Sequence, residues 1–188
     1  MIVALGHEAQ NGKDQFCIFI IDHLRKRTKN LEVTRVGFAD RLYDFCYSVY
    51  SWGGFKTRLH YSRYPHEKGI ILPRLGLTPR QILINVGEHM RTYDENVWLN
   101  AACRGNKKGA LTIITDLRKE NEFKALEGFP RVKITRPGFE STIQCDIDLK
   151  TAPWDHVIQN DGSLNLLSSR ADLFCTEVIL PFLAQEFA

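Results

Sequence analysis

The sequence contains no long apolar run and only a small excess of positive charge. No stretch reaches the roughly 18 apolar residues of a membrane-spanning helix. The start of the chain lacks the basic segment and apolar core of a secretory signal, so we expect neither a membrane partner nor export. The net charge of +3 over 188 residues is too small to favour nucleic acid as a partner. With 44% hydrophobic and 25% charged residues, the composition is typical of one soluble globular domain.

Cysteine and histidine lack the spacing of a structural metal site or a disulfide framework. No two of the five cysteines have C-x-x-C spacing, and an odd number cannot all pair within one chain. The six histidines show no metal-ligand pairing. We therefore expect reduced, mostly buried thiols and a cytoplasmic protein. The cysteines are Cys17, Cys46, Cys103, Cys145 and Cys175.

The opening segment has the pattern of a phosphate-binding loop. A short apolar strand leads into a turn that contains Gly6, Gly12 and Lys13, and an apolar helix-like run begins at Phe16. A strand, a glycine loop, a lysine and a helix together direct backbone N–H groups at the phosphates of a nucleotide. The usual spacing is G-x-x-x-x-G-K-[ST], but here the first gap is one residue longer and Asp14 replaces the hydroxyl residue. The alternative interpretation is a turn that only joins a strand to a helix.

Strand-like and helix-like segments alternate along the chain. Strands are predicted at 2–5, 33–38, 110–115, 131–136 and 154–159, and helices at 16–24, 39–49, 80–90, 96–103, 121–127 and 164–187. Thr78 and Pro79 suit the first positions of a helix, and Pro181 should interrupt the last one. The alternation predicts an α/β fold with a parallel sheet and right-handed crossovers. Residues 51–77 break the pattern and predict an irregular segment or small lobe.

Charged residues near the first and third predicted strands are candidates for phosphate and metal binding. The Lys13 ammonium could bridge the β- and γ-phosphates, unless it is an ordinary surface lysine. Asp14 could bind magnesium or cap the helix that starts beside it. Asp116 and Arg118 lie at the carboxyl end of a buried strand, where open α/β sheets bind ligands. The alternative there is a helix cap with a surface arginine.

Three further arginines are candidates for binding phosphate. Arg80 and Arg91 lie on the helix at 80–90 or just beyond it, and Arg136 ends a strand. A guanidinium donates two parallel hydrogen bonds to a phosphate, and phosphoryl transfer needs several such groups. Exposed helix positions are the alternative, and spacing alone favours that alternative for Arg80 and Arg91.

Four segments together resemble the deoxynucleoside monophosphate kinases of tailed bacteriophages, which belong to the P-loop nucleoside monophosphate kinases. The loop N-G-K-D is similar to the family's S-G-K-D-T, and V-I-Q-N-D-G-S-L-N-L-L to its V-I-x-N-D-G-S-L-E-E-L. T-D-L-R-K-E-N-E followed by V-K-I-T-R-P-G is similar to its D-x-R-x-x-x-E and V-x-R-P-G motifs. Residues 77–101 resemble its arginine-led helix, and residues 37–45 give a weaker fifth match. The segments occur in the family's order over more than half of the chain.

The resemblance implies a three-layer P-loop kinase fold in one domain, residues 1–188, with residues 51–77 as an acceptor-binding or lid segment. It implies transfer of the γ-phosphoryl group of ATP to a (deoxy)nucleoside 5′-monophosphate with Mg²⁺. The donor nucleotide would contact Asn11, Gly12, Lys13, Asp14, Arg136 and Asn160. The acceptor would contact Asp40, Arg41, Arg80 and Arg91. Lys13, Arg80, Asp116 and Arg118 would be catalytic, with Asp14 and Asp116 towards the metal.

The alternatives come from different functional classes. One is a small-molecule kinase on the same scaffold, similar to dephospho-coenzyme A kinases. Another is a nucleotide-binding protein without catalysis, which the longer loop favours. Nucleic-acid binding through Lys56, Arg58, Arg63 and Arg74 is the weakest alternative, because those residues equally suit an acceptor-binding lid. A homodimer is left open, and a phage origin would place the protein in the cytoplasm of the host.

Overall fold

The computed structural model describes residues 1–6, 10–105, 107, 109–138 and 149–186, and it divides the chain into two compact units. The first unit contains Met1–Gly37 and Gly105–Ala188, and the second contains Phe38–Arg104. Cys145, one of the predicted thiols, lies outside the described residues, as does the middle of the first loop.

The elements of the described residues follow the predicted alternation. The strands are β1 (Ile2–Gly6), β2 (Val33–Val36), β3 (Leu111–Leu117), β4 (Arg131–Thr135) and β5 (His156–Gln159). The helices are α1 (Lys13–Arg27), α2 (Phe38–Tyr50), α3 (Arg58–Arg63), α4 (Pro79–Arg91), α5 (Val97–Cys103), α6 (Glu120–Ala125), α7 (Leu164–Phe174) and α8 (Leu180–Glu186). Short 3₁₀ segments occupy Ser51–Gly53 and Pro65–Gly69, and a π-helical turn occupies Cys175–Ile179.

The first unit is an α/β fold built on one five-stranded sheet in the order β2-β3-β1-β4-β5. All four pairs of neighbouring strands are parallel, which confirms the predicted parallel sheet. At the carboxyl end of the central strand β1, Gly6 is in register with Leu117 on β3 and with Lys133 on β4. Loops that leave these strands therefore start at the same edge of the sheet.

Helix α1 and the C-terminal helices cover the sheet with apolar side chains. Val3 and Leu5 of β1 have no exposed surface and belong to one core cluster with Phe16 and Ile20 of α1. The ring of Phe16 lies 6.0 Å from that of Phe174 on α7. Full burial of such side chains stabilises a fold by roughly 1.5–3 kcal/mol each. The predicted apolar faces of strand and helix thus form the core of the first unit.

The ends of two helices differ from the prediction. Helix α1 begins at Lys13 rather than Phe16, because Gly12 takes a left-handed conformation with φ of 92° and ends the loop there. Pro181 does not end the last helix. The π-helical turn precedes it, and a widened turn suits a residue that has no N–H and whose ring would crowd the carbonyl four residues earlier.

The second unit packs helices around buried aromatic rings. The rings of Tyr43 and Tyr61 lie 6.1 Å apart, and that of Phe55 lies 5.4 Å from Tyr61. The predicted start of α4 is confirmed, since the Thr78 hydroxyl accepts from the backbone N–H of Gln81 at 3.1 Å and the Gln81 side chain accepts from the N–H of Thr78. Residues 51–77, predicted to be irregular, contain two 3₁₀ segments and the six-residue α3.

Gly6 ends β1 at a position where no side chain fits. A Cβ atom there would lie 2.2 Å from the Trp154 ring and 2.7 Å from the backbone oxygen of Leu117. The Trp154 ring is itself fixed, because its indole N–H donates to the Leu149 oxygen at 2.9 Å and its edge packs against Phe123 at 4.9 Å. The glycine that the sequence offered as part of a phosphate loop thus has a packing role.

We expect Gly6→Ala to lower the free energy of unfolding by about 1–3 kcal/mol, because overpacking a filled interior forces neighbouring groups to move. Equilibrium unfolding in urea measures this effect. Gly69→Ala is the control, since a Cβ atom at Gly69 would meet nothing within 4 Å. Equal urea midpoints of unfolding for the two variants would show that Trp154 moves aside without a cost in free energy.

Two thiols of the first unit should resist alkylation. Burial, the largest cause in each case, raises the pKa of Cys17 and that of Cys175 to about 12. Since the thiolate is the nucleophile, iodoacetamide at pH 8 should label both at least about 10³-fold more slowly than in urea. Peptide mapping by mass spectrometry gives the rate for each cysteine, and similar native and denatured rates would contradict the burial.

Candidate functional site

The carboxyl edge of the sheet has one point where the connections diverge. The chain leaves β1 towards β2 on one side and leaves β4 towards β5 on the other, while β1 and β4 are neighbours. Open α/β sheets bind their ligands in the crevice that forms at such a point. The residues after β1, β3, β4 and β5 all start at this edge. The candidate site is therefore built from the loops that follow four of the five strands.

The loop after β1 meets α1 at an uncapped helix N-terminus. Gly12 is the residue before the helix, and it has no side chain that could satisfy the first-turn N–H groups. The first N–H groups of a helix have no partner within the helix, and the helix dipole adds positive potential there. An anion at this position would receive backbone hydrogen bonds from a helix of 15 residues.

Asn11 connects this loop to two other strands. Its side chain is 1% exposed, and its amide donates to the Ile134 oxygen on β4 at 3.1 Å. Its backbone oxygen accepts from the Asn160 side chain at 3.1 Å, and the Asn160 backbone N–H donates to the Thr135 oxygen at 2.7 Å. The Asn11 Oδ1 atom is buried and has no hydrogen-bond donor among the described residues. The loop thus holds one acceptor that a bound donor group would satisfy.

The turn after β5 is held in place by Arg170 on α7. One guanidinium nitrogen donates to the Gln159 oxygen and to Asp161 Oδ1, the latter at 2.7 Å. This hydrogen bond lowers the pKa of Asp161 below its ordinary value. This turn also contains Asn160, whose side chain packs closely against Gly12. A Cβ atom built on Gly12 would lie only 2.5 Å from Asn160 Nδ2. Asn160, predicted to lie near the donor nucleotide, therefore shapes the loop itself.

The two charged residues at the start of α1 have different surroundings. Lys13 is only 7% exposed, and a lysine is seldom buried to that extent unless its ammonium meets acceptors. The Asp14 side chain is 73% exposed, and its Oδ1 pairs with Arg35 Nη2 of β2 at 2.5 Å. Asp14 thus forms an ion pair rather than the helix cap that the sequence offered as an alternative to metal binding.

Asp116 and Arg118 occupy the end of β3. The strand runs one residue beyond Asp116, so that Asp116 belongs to the sheet and Arg118 is the first residue past it. The sequence placed the strand end two residues earlier. Glu122, only 3% exposed, accepts from the backbone N–H groups of Arg118 and Lys119 at 3.4 and 3.2 Å. Asp116 and Arg118 thus lie at the carboxyl end of β3, and Arg136 follows β4. Lys13 begins the helix that follows the neighbouring strand β1.

The remaining predicted residues belong to the second unit. Asp40 in the first turn of α2 pairs with Arg58, the first residue of α3. Arg41 is half-exposed and lies 3.8 Å from Asp44. Arg91 pairs with Glu88 at 3.1 Å, and Arg80 is the second residue of α4 and exposed. The sequence missed Arg35 and Arg170, because their partners Asp14 and Asp161 come from other parts of the chain; a charge near the end of a short strand was the only signal for Arg35. Glu122 belongs to the D-x-R-x-x-x-E motif but was given no role, although its partners lie only three and four residues earlier.

Three further findings concern ligands and relatives. Within the described ranges, no group of three or more His, Cys, Asp or Glu side chains is arranged to hold a metal ion. No helix in those ranges combines the length and apolar character needed to cross a membrane. Comparison of the chain with protein-family models and with curated proteins found no match in either case.

Gly12→Ala should destabilise the first unit more than the same change at another left-handed glycine. A left-handed conformation costs an L-residue roughly 1–2 kcal/mol, and at Gly12 the collision with Asn160 adds to that cost. Gly128→Ala is the matched control, because its φ is 88° but a Cβ atom there meets nothing within 4 Å. The difference between the two variants in urea unfolding measures the Asn160 contact, and no difference would contradict it.

Proposed function

We propose that this chain is a nucleotide kinase that transfers the γ-phosphoryl group of ATP to a (deoxy)nucleoside 5′-monophosphate. The observation that supports this most is the junction of β1 and α1, where left-handed Gly12 precedes the buried Lys13 at an uncapped helix N-terminus. The proposal includes the finer fold assignment, a three-layer P-loop kinase. The motif resemblance supplies the reaction, and the edge of the sheet supplies a chemically suitable donor site.

In this proposal the first unit binds the donor. First-turn N–H groups of α1 would donate to the β-phosphate, and the Lys13 ammonium would contact the β- and γ-phosphates. Arg136 would add positive charge from the end of β4. Asn11 and Asn160 would keep the loop in the binding conformation, since they connect it to β4 and β5 by hydrogen bonds.

The second unit would bind the acceptor. Arg80 is the second residue of α4, and a guanidinium there combines with the helix N-terminus to attract a monophosphate. Asp40, Arg41 and Arg91 are the other predicted contacts. Each of these three forms an ion pair within the second unit, with Arg58, Asp44 and Glu88 respectively. We therefore propose Arg80 as the principal contact with the acceptor phosphate.

The carboxylates at the sheet edge have the chemistry that Mg²⁺ requires. Magnesium in nucleotide sites is held by one or two carboxylates together with phosphates and waters, and it neutralises charge on the phosphates. Asp116 lies at that edge on β3. Asp14 keeps one carboxylate oxygen on Arg35, so that only its other oxygen would be offered to a metal. We propose Asp116 and Asp14 as the two carboxylate contacts.

The protein's task in this reaction is to align two polyanions and cancel their repulsion. Two unit charges 4 Å apart repel by roughly 1 kcal/mol in water and by several times more where water is excluded. Lys13 and Arg118 would balance the charge that spreads over the transferred group. The acceptor phosphate is already ionised, and the proposal therefore assigns no general base.

We expect Lys13→Ala to fold but to lose transfer by about 10³-fold or more, because the ammonium stabilises charge that develops only during transfer. A coupled assay of ADP release, with all ribo- and deoxyribonucleoside monophosphates as acceptors, measures this loss. Lys26→Ala, near the other end of the same helix, is the control and should keep wild-type activity.

The outcomes separate the alternatives. Undiminished transfer by the Lys13 variant would show that the β1–α1 loop is not the donor site. Turnover with dephospho-coenzyme A and with no monophosphate would favour the other small-molecule kinase. ATP binding without ADP release from any acceptor would favour a nucleotide-binding protein without catalysis.

A further inference from the structure

Three cations of the second unit form a cluster, and the sequence motifs singled out only Arg80 among them. Arg58 begins α3, Lys68 lies in the 3₁₀ segment Pro65–Gly69, and Arg80 lies in the first turn of α4. The Lys68 ammonium is 5.5 Å from the centre of the Tyr43 ring. Burial raises the Tyr43 pKa to about 12, and the positive charge of Arg80 partly offsets this effect. We call Arg58, Lys68 and Arg80 the cationic cluster.

The members of the cluster act on one another. Burial is the largest cause that lowers the Lys68 pKa, and the charges of Arg80 and Arg58 lower it further. Like charges are seldom gathered around a partly buried ammonium unless an anion is to be bound, because the unliganded state carries their repulsion. The cluster therefore has the electrostatics of an anion site.

The acidic side chains near the cluster already have partners. Asp40 pairs with Arg58. Glu67, next to Lys68 in sequence, accepts from His60 at 2.7 Å, and this hydrogen bond lowers the Glu67 pKa. Among the described residues no carboxylate pairs with Lys68 or with Arg80. Two positive charges are thus left to be balanced, which matches the two negative charges of a phosphomonoester.

We propose that the cationic cluster is the site where the second unit binds a phosphomonoester dianion, with Lys68 and Arg80 as its direct ligands. The choice of a phosphomonoester rests on the proposed function, whose acceptor is one. Arg80 would supply a two-pronged contact and Lys68 a point charge from the opposite segment. Arg58, held by Asp40, would add positive potential. Lys68 lies within residues 51–77, the segment that the resemblance gives an acceptor-binding or lid role without naming any residue of it.

Pyridoxal 5′-phosphate is a suitable probe, because it joins a phosphate to an aldehyde. The unprotonated Lys68 amine would add to the aldehyde with loss of water to form an imine. Borohydride then delivers hydride to the imine carbon, and water supplies the proton on nitrogen, giving a stable secondary amine. Peptide mapping by mass spectrometry locates the product. An adduct on Lys13 would report on the donor site and is counted separately.

We expect at least about tenfold more labelling at Lys68 than at the exposed Lys29, protection by a nucleoside monophosphate, and little labelling by pyridoxal, which lacks the phosphate. Arg80→Gln should reduce the labelling of Lys68. Arg104→Gln, which removes one exposed charge just after α5 of the same unit, should leave it unchanged. Two further variants test binding directly. The Lys68→Arg variant should retain affinity for inorganic phosphate, whereas the Lys68→Met variant should lose it.

Equal labelling of Lys68 by pyridoxal and by its phosphate would overturn the proposal, since the lysine would then be reactive without an anion site. Labelling no faster than at Lys29, or unchanged by Arg80→Gln, would overturn it as well. These readouts need neither ATP nor transfer. A labelled and protected Lys68 in a protein without kinase activity would therefore defeat the proposed function alone, whereas kinase activity with an unreactive Lys68 would defeat this inference alone.

Discussion

The first unit depends on the need to satisfy polar groups where the chain turns from a buried strand into a buried helix. Asn11 carries an amide side chain into that turn with 1% of its surface exposed. An unsatisfied buried polar group costs roughly 1–3 kcal/mol. The Asn11 amide therefore has to reach the Ile134 oxygen, and the Asn11 backbone oxygen has to receive Asn160. Because these bonds join β1, β4 and β5, the loop cannot change conformation without disturbing the sheet edge.

The sequence was sufficient for elements whose signals are local. The apolar run at 110–115 gave β3, and Thr78 followed by Pro79 gave the start of α4, because buried strands and helix caps depend on neighbouring residues. The first turn of α1 was missed, since its residues after Lys13 are polar and carry no apolar periodicity. The positive φ angle of Gly12, not the hydrophobic pattern, determines where this helix begins.

The site was predictable only in part, for the same reason. The rule that ligands bind beyond the carboxyl ends of strands pointed to Asp116 and Arg118, and these two residues do lie at the end of β3, with Arg136 directly after β4. It could not select Asn160 as a partner of Asn11, because 149 residues separate them and only the sheet order brings them together. Nor could it select Lys68, which lies in a segment that has no periodic pattern.

In the proposed function the two units would bind anions in different electrostatic surroundings, and the difference has a consequence for the unliganded protein. In the first unit, backbone N–H dipoles at the start of α1 would act together with the Lys13 ammonium, and such dipoles repel one another little when no anion is present. In the second unit the cationic cluster would act through full charges, and the charges of Arg80 and Arg58 add to burial, the largest cause, in lowering the Lys68 pKa. The Lys68 ammonium faces the ring of Tyr43, which packs against the rings of Phe55 and Tyr61 at 6.3 and 6.1 Å. A dianion bound at this proposed site would therefore relieve the repulsion among the three cations as well as form new contacts with them.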